Sequence, residues 1–132
     1  MKDTTLAPVS AGVRAAIAAY TRAQDAGDSD ALVDLYIPDG VLEVSGFEAI
    51  VGHDALRAAF SSWAPTKPQL HLVANTQLTA WSDDRATAVS DVAFLQRGQD
   101  AWSLRIVGRY DDRLVRTGQT WRFARRVSIF SS

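Results

Sequence analysis

The sequence predicts an α+β fold: a cone-shaped α+β barrel in which three N-terminal helices lie on the concave face of a curled, mixed or antiparallel sheet. Two observations predict this class. Apolar residues recur at helical spacing before Pro65, and four strand-like segments separated by hairpin-type turns follow Pro68. Helices followed by hairpin-linked strands are typical of α+β domains. Because such long strands bend, we expect the sheet to curl around the helices and leave a concavity that suits a small molecule.

The first two helices are marked by apolar spacing and by the residues that end or cap them. Residues 13–24 form the first predicted helix, and Gly27 ends it. The apolar positions of this helix are Val13, Ala16, Ile17, Tyr20 and Ala23. Asp28 or Ser29 can cap the second helix. That helix carries on one face Leu32, Leu35 and Tyr36.

A short strand and a third helix complete this part of the chain. Pro38-Asp39-Gly40 is typical of a turn, and residues 41–44 follow it as a short strand. Residues 52–54 open the third helix, and the segment from Pro65 to Pro68 ends it. The buried side of this helix is predicted to carry Leu56, Ala59, Phe60 and Trp63.

The rest of the chain consists of strand-like segments joined by turn-forming residues. The turns are Ser82-Asp83-Asp84, Gly98-Gln99-Asp100 and Thr117-Gly118. The strands are predicted at about residues 69–81, 85–97, 101–115 and 119–130.

The composition is that of one small globular domain, which we expect to span residues 1–132. Hydrophobic residues make up 47% of the chain, which is enough to bury one core. The chain has no Cys, so disulfides and thiolate chemistry are excluded. Its two His residues lie 18 positions apart, and no phosphate-binding loop or dinucleotide motif is present. We therefore expect no metal, nucleotide or other cofactor.

Charge and hydropathy limit the partners of the protein. No apolar run approaches the ~18 residues that span a bilayer, and residues 1–5 do not begin the apolar stretch of a signal peptide. We therefore expect a cytoplasmic protein that binds no membrane. Residues 1–60 hold nine acids and four bases, whereas residues 61–132 hold six acids and ten bases. Because those bases are scattered among acids on strand-like segments, we expect solvated strand faces and no nucleic-acid partner.

One carboxylate and one histidine form a candidate catalytic pair. Strand alternation places His71 on the same face as Gln69 and Val73, and an imidazole in an apolar strand needs a partner for its ring N–H. Asp25, at the end of the first helix, could accept that hydrogen bond and fix the tautomer, leaving the other ring nitrogen as a base. The alternative is that Asp25 is a solvated carboxylate at a helix end and that His71 is a strand histidine with no catalytic role.

Several strings along the chain carry a resemblance to a known family. They are Tyr20…Asp25-Ala26-Gly27-Asp28…Leu32…Leu35-Tyr36…Asp39-Gly40-Val41, Gly52-His53-Asp54-Ala55-Leu56, His71…Asn75, Gly108-Arg109-Tyr110 and Trp121-Arg122-Phe123. These strings and the order of elements resemble the nuclear-transport-factor-2-like superfamily in its SnoaL-like branch. The resemblance covers nearly the whole chain and implies the same cone-shaped fold. That fold hosts isomerases, dehydratases, cyclases, dioxygenase β-subunits and pure binding modules, so the reaction must be argued from the site.

The resemblance also implies roles for individual residues. Asp25 and His71 are similar to the Asp–His dyad of the hexachlorocyclohexane dehydrochlorinases and scytalone dehydratases, which carry out eliminations with His as base and no cofactor. Scytalone dehydratases use a second pocket His, but His53 falls in the loop that opens the third helix. In the dehydrochlorinases an Arg at the position of Arg126 points into the pocket and helps a departing anion. By alternation Arg125 and Arg126 oppose each other, and the alternative for Arg126 is a surface position.

The pocket walls follow from strand parity and from the resemblance. We expect them to include Leu42, Val92, Phe94, Ile106, Tyr110 and Ser128, with Phe60 and Trp63 closing the pocket from the third helix. Tyr20 aligns with the oxyanion-hole Tyr of ketosteroid isomerases. The base and second acid of those enzymes fall on Val44 and Gly108, which argues against that reaction.

Two classes of function remain open. The first is an enzyme of lyase or isomerase type, similar to dehydratases, dehydrochlorinases or polyketide cyclases, that abstracts a proton from an apolar small molecule. Its reaction would be an elimination, dehydration, cyclisation or isomerisation. The second is a non-catalytic small-molecule-binding or oligomerisation module of the same fold. Under either we expect a homodimer or higher homo-oligomer, because a sheet covered on one face must hide its other apolar surface.

Overall fold

The computed structural model describes residues 6–131, and within that range the chain forms three helices and six strands. Residues 1–5, on which the expectation about a signal peptide rests, lie outside the described residues, as does residue 132. In chain order the elements are α1 (Leu6–Ala26), α2 (Ser29–Asp34), β1 (Tyr36–Val44), β2 (Ile50–Val51), α3 (His53–Ser62), β3 (Gln69–Trp81), β4 (Arg85–Arg97), β5 (Trp102–Thr117) and β6 (Thr120–Ser131).

The strands form one mixed sheet in the order β2-β1-β6-β5-β4-β3. Strands β3 to β6 form an antiparallel meander, whereas β1 returns to pair in parallel with β6. The register shifts within each pairing of the meander, and irregularities of this kind bend strands and increase their twist. The predicted α+β class, a curled sheet with N-terminal helices, is confirmed.

Helix α1 packs along the inner face of the sheet, the face that carries the helices. It begins seven residues before the predicted start, since Leu6 and Val9 extend the apolar spacing that begins at Val13. A Cβ atom at Gly12 would lie 2.3 Å from the indole of Trp121 on β6, so glycine permits a close approach of helix and strand. The residues of α1 that are buried are Val9, Val13, Ala16, Ile17, Tyr20 and Ala23.

The segment from α2 to β2 differs from its prediction. Tyr36 belongs to β1 rather than to the second helix, because pairing with β6 begins where the Phe123 amide donates to the Leu35 carbonyl. Residues 38–40 lie inside β1 instead of forming a turn, and the register shifts across them, which accommodates a proline that cannot donate to the ladder. The two-residue strand β2 was not predicted, since it is too short to show alternation.

Helix α3 covers one end of the sheet. Asp28 caps the preceding helix α2 by accepting from the Ala31 amide at 3.0 Å, as one of the two predicted caps. Leu56 and Phe60 are buried beneath α3, whereas Trp63 follows its last residue and is 47% exposed, so its predicted place on the buried side is wrong. The core lies between the helices and the inner face, where Tyr20, Phe60 and other aromatic rings pack edge to face.

Candidate active site

The site is organised by a direct bond between the last turn of α1 and the first strand of the meander. Oδ1 of Asp25 lies 2.6 Å from Nδ1 of His71, and both side chains are largely buried. Because a carboxylate only accepts hydrogen bonds, Nδ1 carries the proton in the neutral imidazole and Nε2 is left with a lone pair. Among residues 6–131 no hydrogen bond to Nε2 is found. The ring of Phe94 lies against the imidazole at 4.6 Å between centroids and holds its plane.

Asp25 occupies a position that is unfavourable for a carboxylate by itself. It lies near the C-terminal end of α1, where the helix dipole presents its negative pole, and no basic residue stands in that turn. Three donors from β3 stabilise it: the His71 backbone amide at 2.8 Å, the His71 ring and the Gln69 side-chain amide at 3.2 Å. The carboxylate is therefore held by the strand and not by its own helix, which keeps it directed at His71.

A cavity of about 360 Å³ lies between the helices and the inner face of the sheet. His71 and Arg126 line it, whereas Asp25 lies behind His71. Tyr20, the candidate that aligns with an oxyanion-hole Tyr, lines it as well, and so do all eight residues predicted as pocket walls: Leu42, Phe60, Trp63, Val92, Phe94, Ile106, Tyr110 and Ser128. This volume is in the range of sites that enclose a small molecule.

Other lining residues were not predicted. Among them Gln24 precedes Asp25 and lies one helical turn after Tyr20, a spacing that places both on one face of α1. That i, i+4 relation was a usable signal in the sequence. The further lining residues are Gly27, Leu32, Val44, Phe47, Gln69 and Phe130.

Arg126 is the largest fully buried side chain, only 1% exposed. Its Nε and Nη2 atoms donate to the two carboxylate oxygens of Asp112 on β5, at 2.7 and 3.0 Å. Burial by itself lowers the pKa of a guanidinium, but the adjacent Asp112 carboxylate outweighs this and raises the pKa of Arg126. The predicted inward direction of Arg126 is present, and Arg125 points to the opposite face, where it pairs with Glu43 at 2.6 Å. The partner Asp112 was not predicted.

The Arg126 guanidinium lies between aromatic rings. Its Cζ atom is 3.7 Å from the ring centroid of Tyr110 and 4.1 Å from that of Tyr20, which allows cation–π contact on both faces. The Tyr20 hydroxyl lies 2.6 Å from that of Tyr36. Burial raises the pKa of all three tyrosines above the ordinary value, although Arg126 lowers each in part. The phenols therefore stay neutral around a permanent cation.

The two acids of the ketosteroid isomerases have no counterpart among the residues that line this cavity. Val44 lines it at the position that aligns with the isomerase base, and Gly108 stands where the second acid would be. His53 does not line the cavity, and its Nε2 atom lies 2.8 Å from the Tyr36 carbonyl oxygen. Over the described range no group of three His, Asp or Glu side chains is placed to hold a metal ion. No helix between residues 6 and 131 is long and apolar enough to cross a membrane.

Two polar atoms in the cavity wall are buried without a hydrogen-bond partner within the described part of the chain. They are Oε1 of Gln24 and Nη1 of Arg126. One can only accept and the other can only donate. Neither atom exposes surface to the cavity, so both are unpaired groups within the packed wall.

Comparisons with known proteins agree with this architecture. A family model described as a SnoaL-like domain matches residues 8–127. No curated protein matched the sequence significantly.

Solved structures extend the comparison. An NTF2-like protein with a cystatin-like fold from Novosphingobium aromaticivorans is 25% identical, over 98% of this chain and 91% of its own, with a TM-score of 0.82. A scytalone dehydratase-like protein from the same organism is 19% identical over 97% and 87%, with a TM-score of 0.85. LinA is 20% identical over 100% and 92%, with a TM-score of 0.82. The resemblance stated from the sequence is thereby confirmed.

Proposed function

The chain belongs to the SnoaL-like domain family, and from that premise we propose that it catalyses cofactor-independent proton abstraction from an apolar small molecule. His71 is the base and Asp25 orients it. The observation that carries the proposal is the 2.6 Å contact between Asp25 and the Nδ1 atom of His71 at the wall of a mostly apolar cavity. The structural likeness to a scytalone dehydratase-like protein supports small-molecule chemistry of this kind.

The proposed reaction begins at the free ring nitrogen. Nε2 of His71 takes a proton from a C–H group of the substrate, and the Asp25 carboxylate stabilises the imidazolium that forms. Arg126, which lines the cavity, is the cation that stabilises the negative charge developing on the substrate. If the substrate carries a leaving group, the C–H electron pair forms the new double bond as that group departs: a hydroxyl takes the proton from the His71 imidazolium and leaves as water, whereas an anion leaves as such and the imidazolium returns its proton to solvent. If it does not, His71 returns the proton elsewhere, and the reaction is an isomerisation or cyclisation.

Exchange with solvent tests the first step before any natural substrate is known. Acetophenones and halogenated cyclohexanes are incubated with the protein in deuterium oxide, and NMR follows deuterium incorporation and halide release. We expect His71→Ala to slow the exchange by ~10²–10⁴-fold, the typical contribution of one positioned base. Asp25→Asn should slow it as well, because an amide cannot stabilise the imidazolium.

The matched control is the other histidine of the chain. His53→Gln should leave the exchange rate unchanged, since His53 lies outside the cavity wall and contacts a backbone carbonyl. Circular dichroism of each variant checks that the fold is intact. If every probe binds but none exchanges, the proposal is refuted, and the alternative of a non-catalytic binding module takes its place.

A further inference from the structure

The chain has three tyrosines, and their hydroxyls differ in what they contact. Those of Tyr20 and Tyr36 lie 2.6 Å apart and bond to each other, and both side chains are fully buried. The Tyr110 hydroxyl has no hydrogen-bond partner within the described part of the chain, and it is not one of the two unpaired wall atoms that are sealed from the cavity. Tyr110 therefore presents to the cavity a phenol O–H for which the protein supplies no acceptor.

Strand pairing places a second hydroxyl beside that of Tyr110. Ser128 on β6 lies directly opposite Tyr110 on β5, and both residues line the cavity. Its hydroxyl likewise has no partner between residues 6 and 131 and is not sealed. The phenol oxygen stands at the end of a ring and so lies farther from the backbone than the serine oxygen. Tyr110 is therefore the better placed of the two to reach a molecule within the cavity.

The charges around Tyr110 make its phenol a strong donor that keeps its proton. The Arg126 guanidinium lies 3.7 Å from the ring centroid and lowers the pKa of the phenol, which strengthens the O–H as a donor. Burial raises the pKa more, and the carboxylates of Asp112 and Asp25 add to that rise. The effect of Asp25 also means that the phenol lies close enough to the pair with His71 for their charges to interact.

We propose that Tyr110 is a further catalytic residue, whose hydroxyl donates to the oxygen of a carbonyl substrate while His71 removes a proton from the adjacent carbon. This rests on the proposed function, because it names the class of substrate that the His71 site takes. The C–H electron pair forms the double bond of an enolate, and the carbonyl π pair moves onto the oxygen, where the hydrogen bond from Tyr110 strengthens. Arg126 acts through the ring of Tyr110, since its own unpaired Nη1 atom is closed to the cavity.

The free hydroxyl favours a carbonyl compound over a halogenated hydrocarbon. A neutral imidazole can remove a proton only from a carbon whose neighbour takes up the negative charge, and a ketone or ester takes it up on one oxygen. A halogenated hydrocarbon has no such oxygen and would bury the Tyr110 hydroxyl without an acceptor, which is costly. The rest of the wall is mostly apolar, with Leu42, Phe94 and Ile106 among its side chains, and suits a neutral molecule.

Deuterium exchange into the methyl group of acetophenone tests the role of the hydroxyl. Tyr110→Phe removes one oxygen atom and keeps the ring over Arg126. We expect the exchange rate at saturating acetophenone to fall by ~10²–10³-fold, the typical effect of removing one donor to a developing oxyanion. Binding of acetophenone itself, measured by calorimetry, should weaken by no more than about tenfold, because the hydrogen bond is stronger in the transition state than in the bound ketone.

Tyr36→Phe is the matched control, since it removes the same atom from a tyrosine that does not line the cavity. It should leave both the exchange rate and the affinity unchanged, and circular dichroism checks that each variant is folded. Ser128→Ala should slow exchange less than Tyr110→Phe does. Three results would overturn the proposal: equal exchange by the wild type and Tyr110→Phe, an equal loss in Tyr36→Phe, or a larger loss in Ser128→Ala.

A mimic of the enolate separates this proposal from the catalytic one. Pentafluorophenol is ionised at neutral pH and carries its charge on an oxygen next to a ring, as the enolate of acetophenone does. The wild type should bind it at least about tenfold more tightly than Tyr110→Phe does, the effect of one hydrogen bond to a charged group, and Tyr36→Phe should match the wild type. The same dependence on Tyr110 should persist in a His71→Ala background, because binding does not need the base.

The combined results then identify which proposal fails. Binding of the mimic that depends on Tyr110, without exchange of any probe, would refute catalysis and leave Tyr110 as the donor to a ligand oxygen. Exchange of acetophenone with a rate and a mimic affinity that both ignore Tyr110 would do the reverse. Halide release from the halogenated cyclohexanes without exchange of acetophenone would overturn the carbonyl class while leaving the catalytic proposal intact.

Discussion

The inner and outer faces of the sheet each depart at particular residues from the usual distribution of polar and apolar side chains. On the inner face Asp112 and Arg126 are buried as an ion pair, and Arg126 lines the cavity. On the outer face Leu72 and Leu104 are 53% and 60% exposed. Buried polar groups and exposed apolar groups are the two informative departures from ordinary burial. The inner face therefore carries the candidate site and the outer face leaves apolar side chains exposed, and alternation along the same strands supplies both.

The largest expected effect concerns the inner face at high pH. Tyr20, Tyr36 and Tyr110 are the only tyrosines of the chain, and burial raises the pKa of each. Unfolded tyrosines ionise near pH 10 while the folded ones keep their protons, so stability is complete below that pH and falls above it. The slope is about 1.4 kcal/mol per pH unit for each tyrosine, or roughly 4 for the three together.

Phenolate absorbance and circular dichroism, recorded together against pH, measure this effect. We expect one cooperative transition above pH ~10 in which all three tyrosines ionise as the fold is lost. Tyr110→Phe keeps a ring over Arg126 and should reduce the slope by about a third, since one titrating group is removed. Ionisation of any tyrosine while the circular dichroism stays native would contradict the predicted burial of these phenols.

Local patterns account for most of the fold that could be predicted from the sequence. Alternation and turn residues predicted strands over residues 69–81 and 85–97, the bounds of β3 and β4. The start of β1 could not be predicted in this way. Tyr36 continues the helical spacing of Leu32 and Leu35, and Phe123, with which it pairs in the sheet, lies far along the chain. Pairing over such a separation leaves no local signal.

The candidate site was predictable where a residue type is unusual in its setting. His71 in an apolar strand and Asp25 at a helix end stood out, and the structure brings them into contact. Asp112 was missed although parity could have found it, since it lies two residues after Tyr110 and therefore shares the inward face. Gln24 was missed although its i, i+4 relation to Tyr20 placed it on the same face of the helix. The catalytic roles of these residues remain predictions.

The next effect compares two arginines that are adjacent in β6 and point to opposite faces. Arg126→Met leaves Asp112 buried without its partner and should cost about 3–5 kcal/mol in the free energy of unfolding. Adding Asp112→Leu should recover most of that loss, since the isolated charge is removed. Arg125→Met breaks the half-exposed pair with Glu43 and should cost less than about 1 kcal/mol.

Urea denaturation at neutral pH measures all three variants. The comparison between the faces requires that Arg126→Met be the least stable of them. It fails if Arg125→Met costs as much as Arg126→Met, or if the double variant is no more stable than the single one. Either result would mean that solvent reaches Asp112 and that its side chain is not buried as the structure shows it.

The smallest expected effect on stability, and the only one on association, belongs to the outer face. Two rows of apolar residues cross β3, β4 and β5 in register, namely Leu70–Leu95–Leu104 and Leu72–Ala93–Val107. We propose that a second copy of the chain covers these rows, because an exposed apolar surface can pair with the same surface of a second copy about a two-fold axis. Leu72→Glu or Leu104→Glu should convert a homodimer into a monomer in sedimentation, and neither should change the stability of the monomer by more than about 0.5 kcal/mol.

Thr117→Glu is the control, since Thr117 is an exposed residue of the same strand as Leu104 but outside both rows, and it should leave the dimer intact. A wild-type protein that sediments only as a monomer at micromolar concentration would show that the outer face serves something other than self-association.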